Sequence, residues 1–124
     1  TVKNKKITWF EPHFRRNFIH IKDVVRGIIF SIRNFNKLKS NVYNLGLSNA
    51  NITKIDLAKK IKKQYKKLKI TTIKNKSDPD KRDYFVSNAK IEKKGFKAKV
   101  SLDSGIKELI QIFKNNKNKI INNY

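Results

Sequence analysis

The stretch Arg16-Asn17-Phe18-Ile19-His20-Ile21-Lys22-Asp23-Val24 changes its period half-way along. Asn17 to Ile21 combine aromatic and β-branched residues, the composition of a short strand. Beyond Asp23 the apolar residues fall at Val24, Val25, Ile28, Ile29 and Ile32, the spacing of an amphipathic helix. A strand running into a helix over 24–33, with Asp23 at the helix N-terminus, sets an α/β frame. Upstream, Ile7-Thr8-Trp9-Phe10 predicts a second strand. Glu11-Pro12-His13-Phe14 is then a loop, because Pro12 has no N–H to offer a central ladder. Downstream, 34–41 is a polar connection and Val42-Tyr43-Asn44-Leu45-Gly46 a third strand closed by glycine.

Thr53-Lys54-Ile55-Asp56 has the form of a capping box. The helix it starts is expected to reach about Lys67 and to bury Ile55, Ala58, Ile61, Tyr65 and Leu68 opposite a lysine-coated face. Lys69 to Ile73 reads as a strand, Asp78-Pro79-Asp80-Lys81 as a turn, and Tyr84-Phe85-Val86 as a short strand. Ser87 is placed to cap a two-turn helix that Gly95 ends, with Ile91 and Phe96 at the apolar positions of a Schellman motif. Ser101 caps a last helix that turns Leu102, Ile106, Leu109, Ile110 and Phe113 inward. The expected organisation is one lobe over 1–114 and a low-complexity Lys/Asn/Ile tail over 115–124. With few, short and irregularly spaced strands, the fold class is a small mixed α/β lobe rather than a complete doubly wound sheet.

The 124 residues suit one domain, and 38% hydrophobic residues suffice for a core. No cysteine is present, which excludes disulfides, thiolate metal sites and a Cys nucleophile. No apolar run is long enough to span a bilayer, so no membrane partner is expected and the cytoplasm is the expected location. The chain opens on Thr1 and has no Met, which reads as a piece of a longer protein. The formal net charge of +22 raises nucleic acid as a partner. Three features argue against it. The charge is carried by 26 Lys and only 5 Arg, and the lysines are spread from Lys3 to Lys119 rather than gathered on one element. Lys, Asn and Ile, which share A/T-rich codons, make up 58 residues, so genome composition accounts for much of the lysine. A small lysine-rich nucleic-acid-binding domain stays as the alternative reading.

Four segments, in order, carry a resemblance. Arg16 to Val24 is close to R-D-F-I-H-V-x-D-V, and Val42 to Gly46 is similar to a Y-N-V-G strand. Asp80-Lys81-Arg82-Asp83-Tyr84 with Ser87-Asn88-Ala89-Lys90-Ile91 resembles G-D-x-R followed by D-x-S-K-A/I. Gly95-Phe96 with Ser101-Leu102-Asp103-Ser104-Gly105-Ile106 resembles G-W/F-x-P-x-x-s-L-e-e-G-I. Together they resemble the C-terminal half of the NAD-dependent epimerase/dehydratase family, the extended Rossmann-type short-chain dehydrogenases that act on nucleotide sugars. The resemblance covers about residues 2–114. It implies the C-terminal substrate-binding portion of such an enzyme, with a nucleotide diphosphate-sugar as partner and a missing N-terminal cofactor domain. It also implies a parent that uses NAD or NADP to oxidise the sugar transiently, followed by epimerisation, dehydration or reduction, and that is open to homodimer formation. The expected setting is a surface-polysaccharide or sugar-nucleotide pathway.

The family's cofactor turn needs clustered glycines so that the backbone can approach the pyrophosphate. Here Gly27, Gly46, Gly95 and Gly105 are scattered, so no cofactor is expected on this chain alone. A Tyr-x-x-x-Lys occurs at Tyr65 and Lys69, but Tyr65 falls on an apolar helix face and after Arg16 in chain order, so no catalytic residue is assigned. For substrate binding the resemblance implies Arg16 and Arg82 against the diphosphate, with Asn44 in support. An Arg fork suits a pair of phosphate oxygens, and five arginines among so many lysines make each informative. Arg15 is a lesser candidate. His20 reads as a packed, hydrogen-bonded histidine, and two histidines without cysteine make no metal site. Trp9 and Phe10 read as core, and Asp78 and Asp80 as turn residues rather than an acid/base pair.

Overall fold

The computed structural model describes residues 5–9, 13–72 and 82–115. Two short sheets carry the lobe. Strand β1 (Lys6–Trp9) runs parallel to β4 (Lys69–Thr72), with Lys6 opposite Lys69 and Trp9 opposite Thr72. Strand β2 (Arg15–Asn17) runs antiparallel to β3 (Asn51–Thr53), with Arg16 opposite Ile52. The helices are α1 (Ile21–Arg33), the single turn α2 (Phe35–Leu38), α3 (Lys54–Gln64), the single turn α4 (Ala89–Glu92) and α5 (Leu102–Asn115). The mixed α/β lobe expected from the sequence is the observed class. No helix among the described residues is long and apolar enough to cross a membrane. Phe10, the turn at 78–81 and the tail over 116–124 lie outside the described residues.

The caps of α3 and α5 and the terminator of α4 are where the sequence put them, whereas α4 starts from Asn88, with no side-chain cap bond, and not from Ser87. Thr53 Oγ1 accepts from the Asp56 backbone N–H at 3.1 Å and donates to the Asp56 carboxylate at 2.6 Å. That hydroxyl, with Lys59 one turn on, holds the Asp56 carboxyl below its ordinary range. Ser101 Oγ accepts from Ser104 N at 3.1 Å and starts α5. After α4, Phe96 N donates to Ile91 O and Gly95 N to Glu92 O, the two bonds of a Schellman motif. Gly95 takes φ +103°, a conformation that a Cβ would strain. Ile91 and Phe96 are both buried beside it.

Several elements differ from expectation. The strand at Asn17–Ile21 lies instead at Arg15–Asn17, because β3 offers a partner only that far; Phe18 N makes one last bond to Ala50 O. The chain then turns, and His20 rather than Asp23 caps α1, its Nδ1 accepting from Lys22 N at 3.1 Å. Helix α3 ends at Gln64 instead of Lys67, with Tyr65 as its C-cap, and α4 has one turn rather than two. Segments 42–46 and 84–86 are not strands: neither has a ladder among the described residues.

The core gathers Leu47, Ala50 and Ala98 under Phe18, Ile19 and Leu102. Ala58 and Leu68 are buried from the α3 side, and Ile106 and Ile110 from α5. Leu109 and Phe113, expected inward, are exposed. The largest departure is on α1: Val25, Ile28, Ile29 and Ile32, expected to face the core, face outward. The side of α1 that packs carries Asp23, Gly27 and Phe30 instead, with the Phe30 and Phe96 rings 5.5 Å apart.

Candidate functional site

Three arginines and one tyrosine form a cluster at the edge of the β2·β3 sheet. Segment 82–86 lies beside β2 without becoming a strand. It is held by one backbone bond, Tyr84 N to Arg15 O at 3.2 Å, and by the side-chain amide of Asn51. That amide accepts from Val86 N and donates to Val86 O, each at 2.9 Å, so it substitutes for a ladder step. Arg15 grips the Asp83 carboxylate through Nε and Nη2, the latter at 2.8 Å, and through its own backbone N–H. Those bonds hold the Asp83 carboxyl below its ordinary range, with the charge of Arg16 adding to the effect.

Arg16 Nη1 donates to the backbone carbonyls of Arg15 and Arg82. Its guanidinium lies 5.0 Å from the centroid of the Tyr84 ring, and that of Arg82 lies 5.4 Å from the same ring. The two residues that the sequence singled out are thus brought together, from 66 positions apart, on one aromatic plate. Arg15 is engaged by Asp83 and by the Phe85 ring at 5.5 Å, so its role is to fix the segment. Among the described residues this edge brings together Arg15, Arg16, Arg82 and the carboxylate of Asp83. Asn44 does not touch either arginine: it is exposed, and its amide donates to Ser87 O at 3.2 Å, steadying the far end of the same segment. Tyr84 and Asp83 were missed as site residues. They read as strand and motif filler, and only the approach of 82–86 to β2 reveals them.

The other candidates fall outside the cluster. His20 is packed as expected, with Nδ1 accepting from Lys22 N and Nε2 3.3 Å from Glu108. Lys22 and His20 together hold the Glu108 carboxyl below its ordinary range, Lys22 more strongly. Tyr65 caps α3 while Lys69 lies in β4, so the pair shares no helix face. No group of three or more His, Cys, Asp or Glu among the described residues could hold a metal ion.

No family model matches the chain. GDP-L-colitose synthase of Yersinia pseudotuberculosis is 33% identical over 119 residues, which is 95% of this chain and 38% of that protein. GDP-mannoheptose C4 reductase of Campylobacter jejuni, solved with NADP bound, superposes with a TM-score of 0.72 at 24% identity, over 90% of this chain and 35% of that one. dTDP-glucose 4,6-dehydratase of Bacillus anthracis, solved with NAD, gives 0.72 at 21% identity, over 94% and 37%. The chain belongs to the NAD-dependent epimerase/dehydratase family and is a C-terminal portion of it. It spans less than two fifths of the length of these family members.

Nothing among this portion's own glycines fits the dinucleotide that such relatives bind. Gly27 sits inside α1, Gly105 inside α5 and Gly95 behind α4. Gly46 is filled from outside: a Cβ there would stand 2.1 Å from Asn17 Oδ1. Asn17 uses that closeness to bond both Leu47 N and Leu47 O, so Gly46 serves packing and not a phosphate.

Proposed function

We propose that this chain is the nucleotide-sugar-binding lobe of a cytoplasmic NAD(P)-dependent nucleotide-sugar epimerase, dehydratase or reductase, with Arg16 and Arg82 holding the diphosphate. The observation that carries this reading is the meeting of Arg16 and Arg82 on the Tyr84 ring. A guanidinium suits a pair of phosphate oxygens, and these two lie 5.0 Å and 5.4 Å from the centroid of one ring. Arg15 and Asp83 pin the loop, and Asn44 pins its exit through Ser87. Redox chemistry belongs to the cofactor domain of the parent, and this lobe contributes substrate binding and orientation.

GDP is the probe of choice, since two of the relatives above are named for GDP-linked sugars. Calorimetric titration of GDP into the chain is expected to show weak, saturable binding that Arg82→Ala weakens roughly tenfold or more. Lys62→Ala on α3 is expected to leave it unchanged. The reverse pattern, with tight binding to nucleic acid that collapses with salt and depends on the helix lysines, would favour the lysine-rich nucleic-acid module.

A further inference from the structure

The five arginines of the chain fall into two groups. Arg15, Arg16 and Arg82 meet at the edge of the β2·β3 sheet, and the other two, Arg26 and Arg33, stand on α1. Their spacing is close to two helical turns, so both lie on one side of the helix, about 10 Å apart along its axis. Together with the segment that follows α4, they line a cavity of about 590 Å³. Phe96, which is buried, and Phe30, half-buried, form its inner side, with their rings 5.5 Å apart. Lys97 and Lys99 join the two arginines around it. None of these residues belongs to the cluster at the sheet edge.

The four cations are held differently. Arg26 donates from Nη1 to the buried Asp23 carboxylate, and its guanidinium lies 5.7 Å from the centroid of the Phe96 ring. Asp23 is itself fixed by the N–H groups of Lys99 and Val100, so Arg26 is set in place. Arg33, Lys97 and Lys99 are exposed, and their side chains have no hydrogen bond or ion pair among the described residues. No carboxylate among the described residues lines the cavity. Lysine carries little weight in a chain that has 26 of them, but arginine is scarce. Arg33 also complements the C-terminal end of α1, a task that lysine would serve equally. Cations gathered without a counter-charge repel one another, and an anion between them relieves that repulsion.

We propose that this cavity is a binding site for a small soluble aryl anion, an aromatic body that carries a phosphate or a carboxylate. The body lies against Phe30 and Phe96, where aromatic rings gain from offset or edge-on contact. The acid group meets the Arg33 guanidinium, whose fork suits a pair of oxygens, with Lys97 and Lys99 beside it. The volume is that of a small-molecule site, which runs from about 300 to 1,000 Å³. Phe30 and Phe96 offer apolar contact but no side-chain hydrogen bond. They therefore favour an apolar ring over a nucleobase, whose polar edge would lose water without replacement. The proposal holds whether or not Arg16 and Arg82 bind a diphosphate.

The test titrates 1-naphthyl phosphate into the full 124-residue chain and follows both the amide chemical shifts and the fluorescence of the probe. Saturable shifts are expected at residues 30–34 and 95–99. Arg33→Ala should weaken binding about tenfold, through loss of a charge-assisted bond to phosphate, while helical circular dichroism persists. Arg82→Ala should leave this binding unchanged. Inorganic phosphate lacks the aromatic body and 1-naphthol lacks the charge, and each should bind at least about tenfold more weakly. Absence of saturable shifts at those residues overturns the proposal, as does equal affinity for inorganic phosphate. Binding that is lost in Arg82→Ala and kept in Arg33→Ala also overturns it, in favour of the cluster at the sheet edge. Flotation of the chain on phosphatidylcholine vesicles carrying phosphatidic acid, abolished by Arg33→Ala, overturns it in favour of a membrane surface.

Discussion

The two faces of α1 show opposite chemistry in places opposite to expectation. On the packed side, Asp23 is fully buried, and its carboxylate accepts from Lys99 N at 2.9 Å and Val100 N at 2.7 Å as well as from Arg26. On the outward side Val25, Ile28, Ile29 and Ile32 are between 42% and 70% exposed. A carboxylate is inside because three donors meet it there, which offsets the cost of removing a charge from water. The aliphatic residues are outside because the side of α1 that packs is already occupied by Asp23, Gly27 and Phe30. The contrast teaches that hydropathy marks an apolar face without saying whether this lobe buries it.

Removing the buried side of the contrast should have the largest effect. Asp23→Ala strands two backbone N–H groups and frees Arg26, and is expected to cost about 3 kcal/mol in urea denaturation. A loss under about 1 kcal/mol would mean that water replaces the carboxylate and that the packed face is less closed than described.

Acid should expose the same group. Burial pushes the Asp23 carboxyl upward, but the N–H groups of Val100 and Lys99 and the Arg26 guanidinium together outweigh it, so it titrates below its ordinary value of 3.8. Its stabilisation is therefore complete above that value and is lost as pH falls through the depressed folded value. Denaturation midpoints should hold from pH 7 to about pH 5 and drop below pH 4, and Asp23→Asn should flatten part of that drop.

A smaller effect sharpens the contrast from the side of the glycine. Gly95→Ala, at φ +103°, is expected to cost about 1 kcal/mol by straining the turn that presents Phe96 to α1. The smallest is expected on the outward face. Ile28→Asp should change the stability of the isolated chain by no more than about 0.5 kcal/mol while lowering its binding of a hydrophobic dye. A loss comparable to that of Asp23→Ala would show that Ile28 is in fact core.

Much of the local grammar was legible in the sequence. The Thr53 and Ser101 caps and the Gly95 terminator were readable because each depends on residues within a few positions of one another. What could not be read depends on distant partners. Segment 42–46 has strand composition but no ladder, because side-chain type does not reveal whether a neighbouring strand exists. Asp23 looked like a helix charge, since nothing local announces the N–H groups of residues 99 and 100. At the candidate site, Arg16 and Arg82 were legible through motif and rarity. Tyr84, the ring that unites them, was not, because its role arises only when 82–86 lies along β2.

The most direct test of substrate binding is a titration of GDP followed by amide chemical shifts of the isotopically labelled chain. The account predicts saturable shifts at residues 15–17 and 82–85, with α3 and the outward face of α1 unmoved. Shifts spread over the lysines of α3, or none at 15–17 and 82–85 at saturating GDP, would contradict it.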